Sequence, residues 1–96
     1  MPSREVVLSN ALGLHARASA KFVDTAKRFE SEINVLAQGQ TNAVDGKNIM
    51  ALLLLEATCG IALTLDAEGV DADAALDALT ELIKGNFGEI QDADSD

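Results

Sequence analysis

The segment that follows Gly60 has the most constraining pattern in this 96-residue chain, because large apolar side chains recur at every second position. Ile61, Leu63 and Leu65 would point to one side of a strand, and the residues between them to the other side. A strand of this kind packs one face against a core and leaves the other toward water, as in antiparallel sheets. The pattern therefore predicts a one-sided sheet whose apolar face needs a second layer.

Helical segments are predicted to supply that second layer. Apolar residues recur with helical spacing over 16–29 and again over 71–84, where Gly85 then provides a stop signal. A third segment, 48–56, is rich in helix-forming residues. We therefore expect three helices, of which the middle one is short.

Three further segments are predicted to be strands, namely 5–9, 32–36 and a weaker one at 41–44, and the last two should form a hairpin. The element order is then β-α-β-β-α-β-α. This order predicts an α+β open-faced sandwich, in which a four-stranded, mostly antiparallel sheet has three helices on one face. We assign 1–88 to a single domain and expect 89–96 to be an acidic, flexible tail.

Charge and composition exclude several classes of function. Seven basic and sixteen acidic side chains give a net charge of −9, which would repel nucleic acids and anionic membranes. The longest apolar run, 49–55, is too short to span a bilayer. One cysteine and one histidine offer neither an internal disulfide nor a zinc-binding spacing, and we expect Cys59 to be buried. We expect a cytoplasmic protein with no metal, no cofactor, no nucleic-acid partner and no membrane insertion.

The single histidine lies between a glycine-containing loop and the start of the first predicted helix. Unpaired backbone N–H groups at a helix start attract anions, and the Arg17 guanidinium matches phosphate oxygens. The positive helix end should also disfavour imidazolium, which keeps His15 neutral and nucleophilic near pH 7. The pattern is compatible with a phosphoryl acceptor, but a histidine beside an arginine is common, and the residues alone favour an incidental surface or capping role.

Two motifs in the chain, Gly-Leu-His-Ala-Arg at 13–17 and Asp-Gly-Lys-Asn-Ile-Met at 45–50, resemble those of the histidine-containing phosphocarrier family, HPr. The resemblance covers about the whole folded chain and is closest to proteobacterial members. It implies that phosphorylated enzyme I of the phosphoenolpyruvate-dependent phosphotransferase system phosphorylates His15, and that an EIIA-type protein receives the group on a histidine. It further implies a phosphohistidine at Nδ1, held by the N–H groups of Ala16 and Arg17 and by the Arg17 guanidinium. Such a protein would be a monomeric, transferase-like carrier rather than a free-standing enzyme.

The resemblance also implies a partner-docking surface beside His15. Seven apolar residues in succession at 49–55 cannot all face inward from one helix, so we expect Ile49 and Met50 to be exposed and Leu52 and Leu55 to lie in the core. Asn48 occupies the position of a regulatory serine found in many members; it has no hydroxyl to phosphorylate, and we expect it to cap the short helix. The predicted interface consists of Leu14, Lys47, Asn48, Ile49, Met50 and Leu53.

The sequence leaves two questions open. The segments 51–56 and 85–89 resemble the nitrogen-related phosphotransferase branch, but a carrier that serves sugar uptake is the alternative. A regulatory protein-binding module of the same fold, in which phosphorylation acts only as a switch, is a second hypothesis of a different class.

Overall fold

The computed structural model describes residues 2–88, so the predicted acidic tail lies outside the described residues. Over this range the elements follow the predicted order, and a short 3₁₀ turn at Asn86–Gly88 comes after the last helix. Neighbouring strands of the sheet, in the order β1-β4-β2-β3, are all antiparallel. The predicted α+β open-faced sandwich is confirmed. Its elements are β1 (Ser3–Val7), α1 (Ala16–Ala26), β2 (Glu32–Ala37), β3 (Val44–Asp45), α2 (Ile49–Leu54), β4 (Ala62–Glu68) and α3 (Ala72–Lys84).

The alternating pattern of β4 divides the sheet into a buried and an open face. Leu63 and Leu65 are fully buried, and the register places Leu65 opposite Val35 of β2. On the open face, Glu5 and Glu32 are exposed to solvent. The one-sided sheet inferred from the alternation is therefore present, with the helices on its apolar face.

The apolar stripes of α1 and α3 supply most of the opposing layer, but α1 is shorter than its pattern predicts. The helix ends at Ala26, where the N–H groups of Arg28 and Phe29 donate to carbonyls only three residues earlier. Such bonds tighten the last turn and close the helix. Phe29 still packs partly buried against the core, so the predicted apolar contact survives outside the helix. The buried apolar side chains of the two helices are Ala18, Phe22, Val23, Ala26, Ala72, Ala75, Leu76, Leu79 and Ile83.

A turn after α3 ties the C-terminal end of the described chain to α1 and to the segment that follows β1. Asn86 and Phe87 have φ values of 57° and 56°, in the left-handed region that glycine favours. The fully buried Phe87 ring, a hydrogen bond from Lys21 Nζ to the Phe87 carbonyl (2.6 Å) and one from Ser9 Oγ to Asn86 Oδ1 (2.5 Å) hold this conformation. The turn closes the core beside the beginning of the loop that carries His15.

A carboxylate joins the start of β2 to the start of α3. Asp71 accepts hydrogen bonds from the backbone N–H groups of Glu30 and Ser31, both at 2.9 Å, and from the buried Ser31 hydroxyl. The Ser31 hydroxyl is the main cause that lowers the pKa of Asp71, and the Glu30 N–H adds to it. Gly69 lies directly against Ser31 and leaves no space for a Cβ.

Candidate functional site

His15 is the N-cap of α1. Its backbone is extended, and Nδ1 accepts a hydrogen bond from the Arg17 backbone N–H at 3.3 Å. A ring nitrogen that accepts a hydrogen bond carries no proton, so in the neutral imidazole the ring proton lies on Nε2. The lone pair of Nδ1 therefore points at the positive end of the helix.

The start of α1 presents its donors to solvent. Ala16 and Arg17 are exposed, and His15 is half-buried. Within residues 2–88, no hydrogen bond or ion pair occupies the Arg17 guanidinium. The cationic side chain at the start of α1 is thus available to an anion next to Nδ1, whereas the Arg17 N–H is occupied by the imidazole.

The loop before His15 lies directly on the connection between α2 and β4. Gly13 has a φ of +65°, and a Cβ there would come within 2.4 Å of the Ala57 carbonyl oxygen. The Leu14 N–H donates to the same carbonyl at 2.9 Å. Only glycine fits this left-handed, closely packed position, which explains the residue type two places before the histidine.

An exposed apolar strip runs along α2. Met50 is 61% exposed and Leu54 is 76% exposed, one turn apart on the same side of the helix. Leu53 is half-buried beside them, and Ile49, which was expected to be exposed, is also half-buried and packs against the core. We call these four residues the α2 patch. The predicted assignment of Leu52 and Leu55 to the core is confirmed.

The α2 patch includes Leu54, which the sequence reasoning missed, although its spacing of four residues from Met50 could have indicated it. Leu12, 70% exposed in the loop before His15, was also missed. The loop has no periodicity that would distinguish Leu12 from its neighbours.

Two other expectations were wrong. Leu14 is only 4% exposed and belongs to the core, where it anchors the loop, so its side chain cannot form part of a partner interface. Cys59 is exposed rather than buried, because the loop between α2 and β4 carries it outside the core.

The remaining predicted interface residues, Lys47 and Asn48, have structural contacts. Asn48 Oδ1 accepts from the Ala51 N–H at 3.1 Å, which confirms the predicted N-cap of α2. Lys47 is half-buried, and its Nζ donates to the Phe29 carbonyl at 2.8 Å. Its ammonium group therefore ties the turn before α2 to the segment that follows α1.

No group of three or more His, Cys, Asp or Glu side chains in the described range could hold a metal ion. Over the same range, none of the helices has both the length and the apolar character that crossing a membrane would require.

Comparison with known proteins decides the family. The family described as "PTS HPr component phosphorylation site" matches residues 2–85. The chain belongs to the HPr family. The phosphocarrier protein HPr of Pseudomonas aeruginosa is 47% identical over 89 residues, which cover 93% of this chain and 98% of that protein. The phosphocarrier protein NPr of Shewanella violacea is 43% identical over 86 residues, which cover 90% and 92% of the two chains.

The fold comparison agrees with the sequence comparison. The crystal structure of HPr-C-His from Thermoanaerobacter tengcongensis superposes with a TM-score of 0.87 and 39% identity, over 94% of this chain and 99% of that one. The family predicted from the two motifs is confirmed, and so is the proteobacterial character. Relatives named HPr and relatives named NPr match at similar identity, so the comparison does not assign the chain to one of these two branches.

Proposed function

We propose that this HPr-family chain accepts a phosphoryl group on His15 from phosphorylated enzyme I and passes it to a histidine of an EIIA-type protein. The observation that carries the proposal is the orientation of Nδ1, which accepts from the first turn of α1 and is therefore unprotonated at an anion-attracting helix end.

In the acceptance step, Nδ1 first releases the Arg17 N–H, and its lone pair then attacks the phosphorus atom of the donor's phosphohistidine. The new N–P bond forms as the donor's N–P bond breaks, and the donor nitrogen keeps that electron pair. The Arg17 N–H, which donated to Nδ1, then becomes available to a phosphoryl oxygen. The Ala16 N–H and the Arg17 guanidinium complete the set of donors.

Phosphoryl transfer depends mainly on in-line positioning and on stabilisation of charge. A site with one nucleophile and several donors is therefore sufficient when the partner supplies the remaining groups. The exposure of Ala16 and Arg17 lets two partners approach the same nitrogen in succession. The same exposure fits a carrier better than an enzyme that encloses its own substrate.

For docking, we place the α2 patch at the partner interface. Met50 and Leu54 expose large apolar surfaces that a partner would remove from water. We place this exchange in the cytoplasm and take the carrier to be a monomer, since a second copy on the α2 patch would cover the docking surface.

The test is intact mass spectrometry after incubation with phosphoenolpyruvate and purified enzyme I, with His15→Ala as the matched control. The expected result is one acid-labile phosphoryl adduct on the wild type and none on His15→Ala, and loss of the adduct when an EIIA-type protein is added. A folded wild-type protein that gains no adduct would exclude the carrier role and favour the regulatory module.

A further inference from the structure

Two fully buried polar side chains hold the carbonyl groups that precede His15. Asn10 Nδ2 donates to the Gly13 carbonyl at 2.7 Å, and Ser19 Oγ donates to the Leu14 carbonyl at 3.2 Å. A buried polar group costs free energy unless it is hydrogen-bonded, so most core positions are apolar. Within residues 2–88, three polar residues are buried, and two of them lie under this one loop.

These bonds fix the peptide groups on both sides of the histidine. Before His15, the Leu14 carbonyl is held by Ser19 and the His15 N–H donates to the Gly13 carbonyl at 2.9 Å. After His15, its carbonyl accepts the Ser19 N–H at 2.8 Å. Because the two peptide planes determine φ and ψ of His15, they also determine where its Cβ and imidazole point.

The same bonds remove two acceptors from the surface of the site. Carbonyl oxygens carry partial negative charge and would repel a phosphoryl group, whereas N–H groups attract it. The Asn10 and Ser19 side chains are buried, so the oxygens of Gly13 and Leu14 point into the molecule to reach them. The surface around Nδ1 is left with donors.

We propose that Asn10 and Ser19 are positioning residues for phosphoryl acceptance: they hold the peptides around His15 so that Nδ1 meets the Arg17 N–H, and they keep two carbonyl oxygens away from the phosphoryl group. The consequence for transfer rests on the proposed function. The consequence for the imidazole orientation does not, and it can be measured on the unphosphorylated protein.

The test uses Ser19→Ala and Asn10→Ala, with Ser31→Ala as the matched control. Ser31 is the third buried polar residue, and its partner is Asp71 at the junction of β2 and α3 rather than the histidine loop. Ser31→Ala therefore removes a buried hydroxyl of the same kind without touching the loop. Backbone amide spectra establish that each variant is folded.

Two readouts are needed. The first is the hydrogen-exchange rate of the Arg17 amide together with the ¹⁵N shift of His15 Nδ1, which report the cap bond directly. The second is steady-state phosphorylation by enzyme I. For Ser19→Ala and Asn10→Ala we expect faster Arg17 exchange and a kcat reduced by about tenfold or more at unchanged KM, while Ser31→Ala leaves both readouts as in the wild type.

Wild-type kcat and wild-type Arg17 exchange in folded Ser19→Ala would overturn the proposal. An equal loss in Ser31→Ala would overturn it too, since general destabilisation would then be the cause. If Asn10→Ala does not fold, Ser19→Ala decides alone. If enzyme I does not phosphorylate the wild type, the proposed function fails, and the exchange and ¹⁵N data still decide whether Asn10 and Ser19 orient the imidazole.

Discussion

Replacement of Gly13 by alanine tests how closely the histidine loop must lie on its support. A Cβ at Gly13 would come within 2.4 Å of the Ala57 carbonyl oxygen and 2.7 Å of Thr58 Cα. Both are backbone atoms, so no side-chain rotation relieves the overlap. Gly39 provides the matched control, because its φ is +87° but nothing lies within 4 Å of its Cβ position.

The two variants separate two costs. Gly39→Ala should lose only the free energy of placing a Cβ in the left-handed region, about 1–2 kcal/mol. Gly13→Ala has the same cost and adds an overlap with backbone, for which overpacking costs of about 1–3 kcal/mol are typical. We therefore expect Gly13→Ala to lower the free energy of unfolding by about 2–5 kcal/mol, a measurable part of the ~5–15 kcal/mol of an ordinary domain.

Urea unfolding followed by far-ultraviolet circular dichroism suits this chain, which has no tryptophan or tyrosine. The rate of His15 phosphorylation is measured on the same samples. Gly13→Ala should reduce both quantities, because relief of the overlap displaces the loop that carries His15, and Gly39→Ala should leave the rate unchanged. Equal losses of stability in the two variants would refute the close approach, and an unchanged rate in Gly13→Ala would refute the link to His15.

Three other perturbations give distinct expectations. Arg17→Ala should slow phosphorylation at least about tenfold with little change in urea midpoint, whereas Leu79→Ala should cost about 2–5 kcal/mol of stability through a core cavity. A larger loss of stability in Arg17→Ala than in Leu79→Ala would contradict the assignment of Arg17 to phosphoryl binding. Leu54→Asp should weaken the affinity for enzyme I measured by calorimetry, while the equally polar change Val70→Asp, at a position 93% exposed outside the α2 patch, should not; equal affinities would remove Leu54 from the interface. The pKa of Asp71 is lowered from 3.8 in the folded state, so the contribution of its carboxylate to stability is present above that value and is lost as pH falls through the folded pKa. Asp71→Asn should therefore be less stable than the wild type at neutral pH, by a difference that shrinks in acid. A difference independent of pH would exclude a stabilising role for the charged carboxylate.

The layers of this fold follow from periodicity, whereas the loop does not. Leu65 and Leu79 recur at strand and helix spacing, so their burial follows from the pattern alone. Leu12 and Leu14 are two leucines of one loop, yet one is exposed and the other is in the core. The left-handed Gly13 between them and the bond from Leu14 to the distant Ala57 carbonyl decide which one turns inward. Such contacts form only when the chain closes on itself.

The candidate site could be proposed from the sequence where a motif names the residue type, as for His15 and Arg17. The roles of Asn10 and Ser19 were not, since both residues act through carbonyl groups whose direction depends on the folded loop. An asparagine three residues before a left-handed glycine is typical of a turn, and this was the available signal. The burial of Phe87 depends on two consecutive left-handed residues, which neither propensity nor periodicity predicts.

His15 occupies a position that a different residue would fill more stably. Asp is among the strongest N-caps, and its negative charge also suits the positive helix end, whereas imidazole caps α1 through a long bond of 3.3 Å. We therefore expect His15→Asp to raise the free energy of unfolding by about 0.5–1 kcal/mol in urea, although it removes the imidazole that phosphohistidine requires. Asn48→Asp at the N-cap of α2 is the control, with a change of no more than a few tenths of a kcal/mol, because Asn and Asp cap about equally well. A His15→Asp protein less stable than the wild type would contradict this reasoning, because it would show that the histidine stabilises α1 more than an aspartate does.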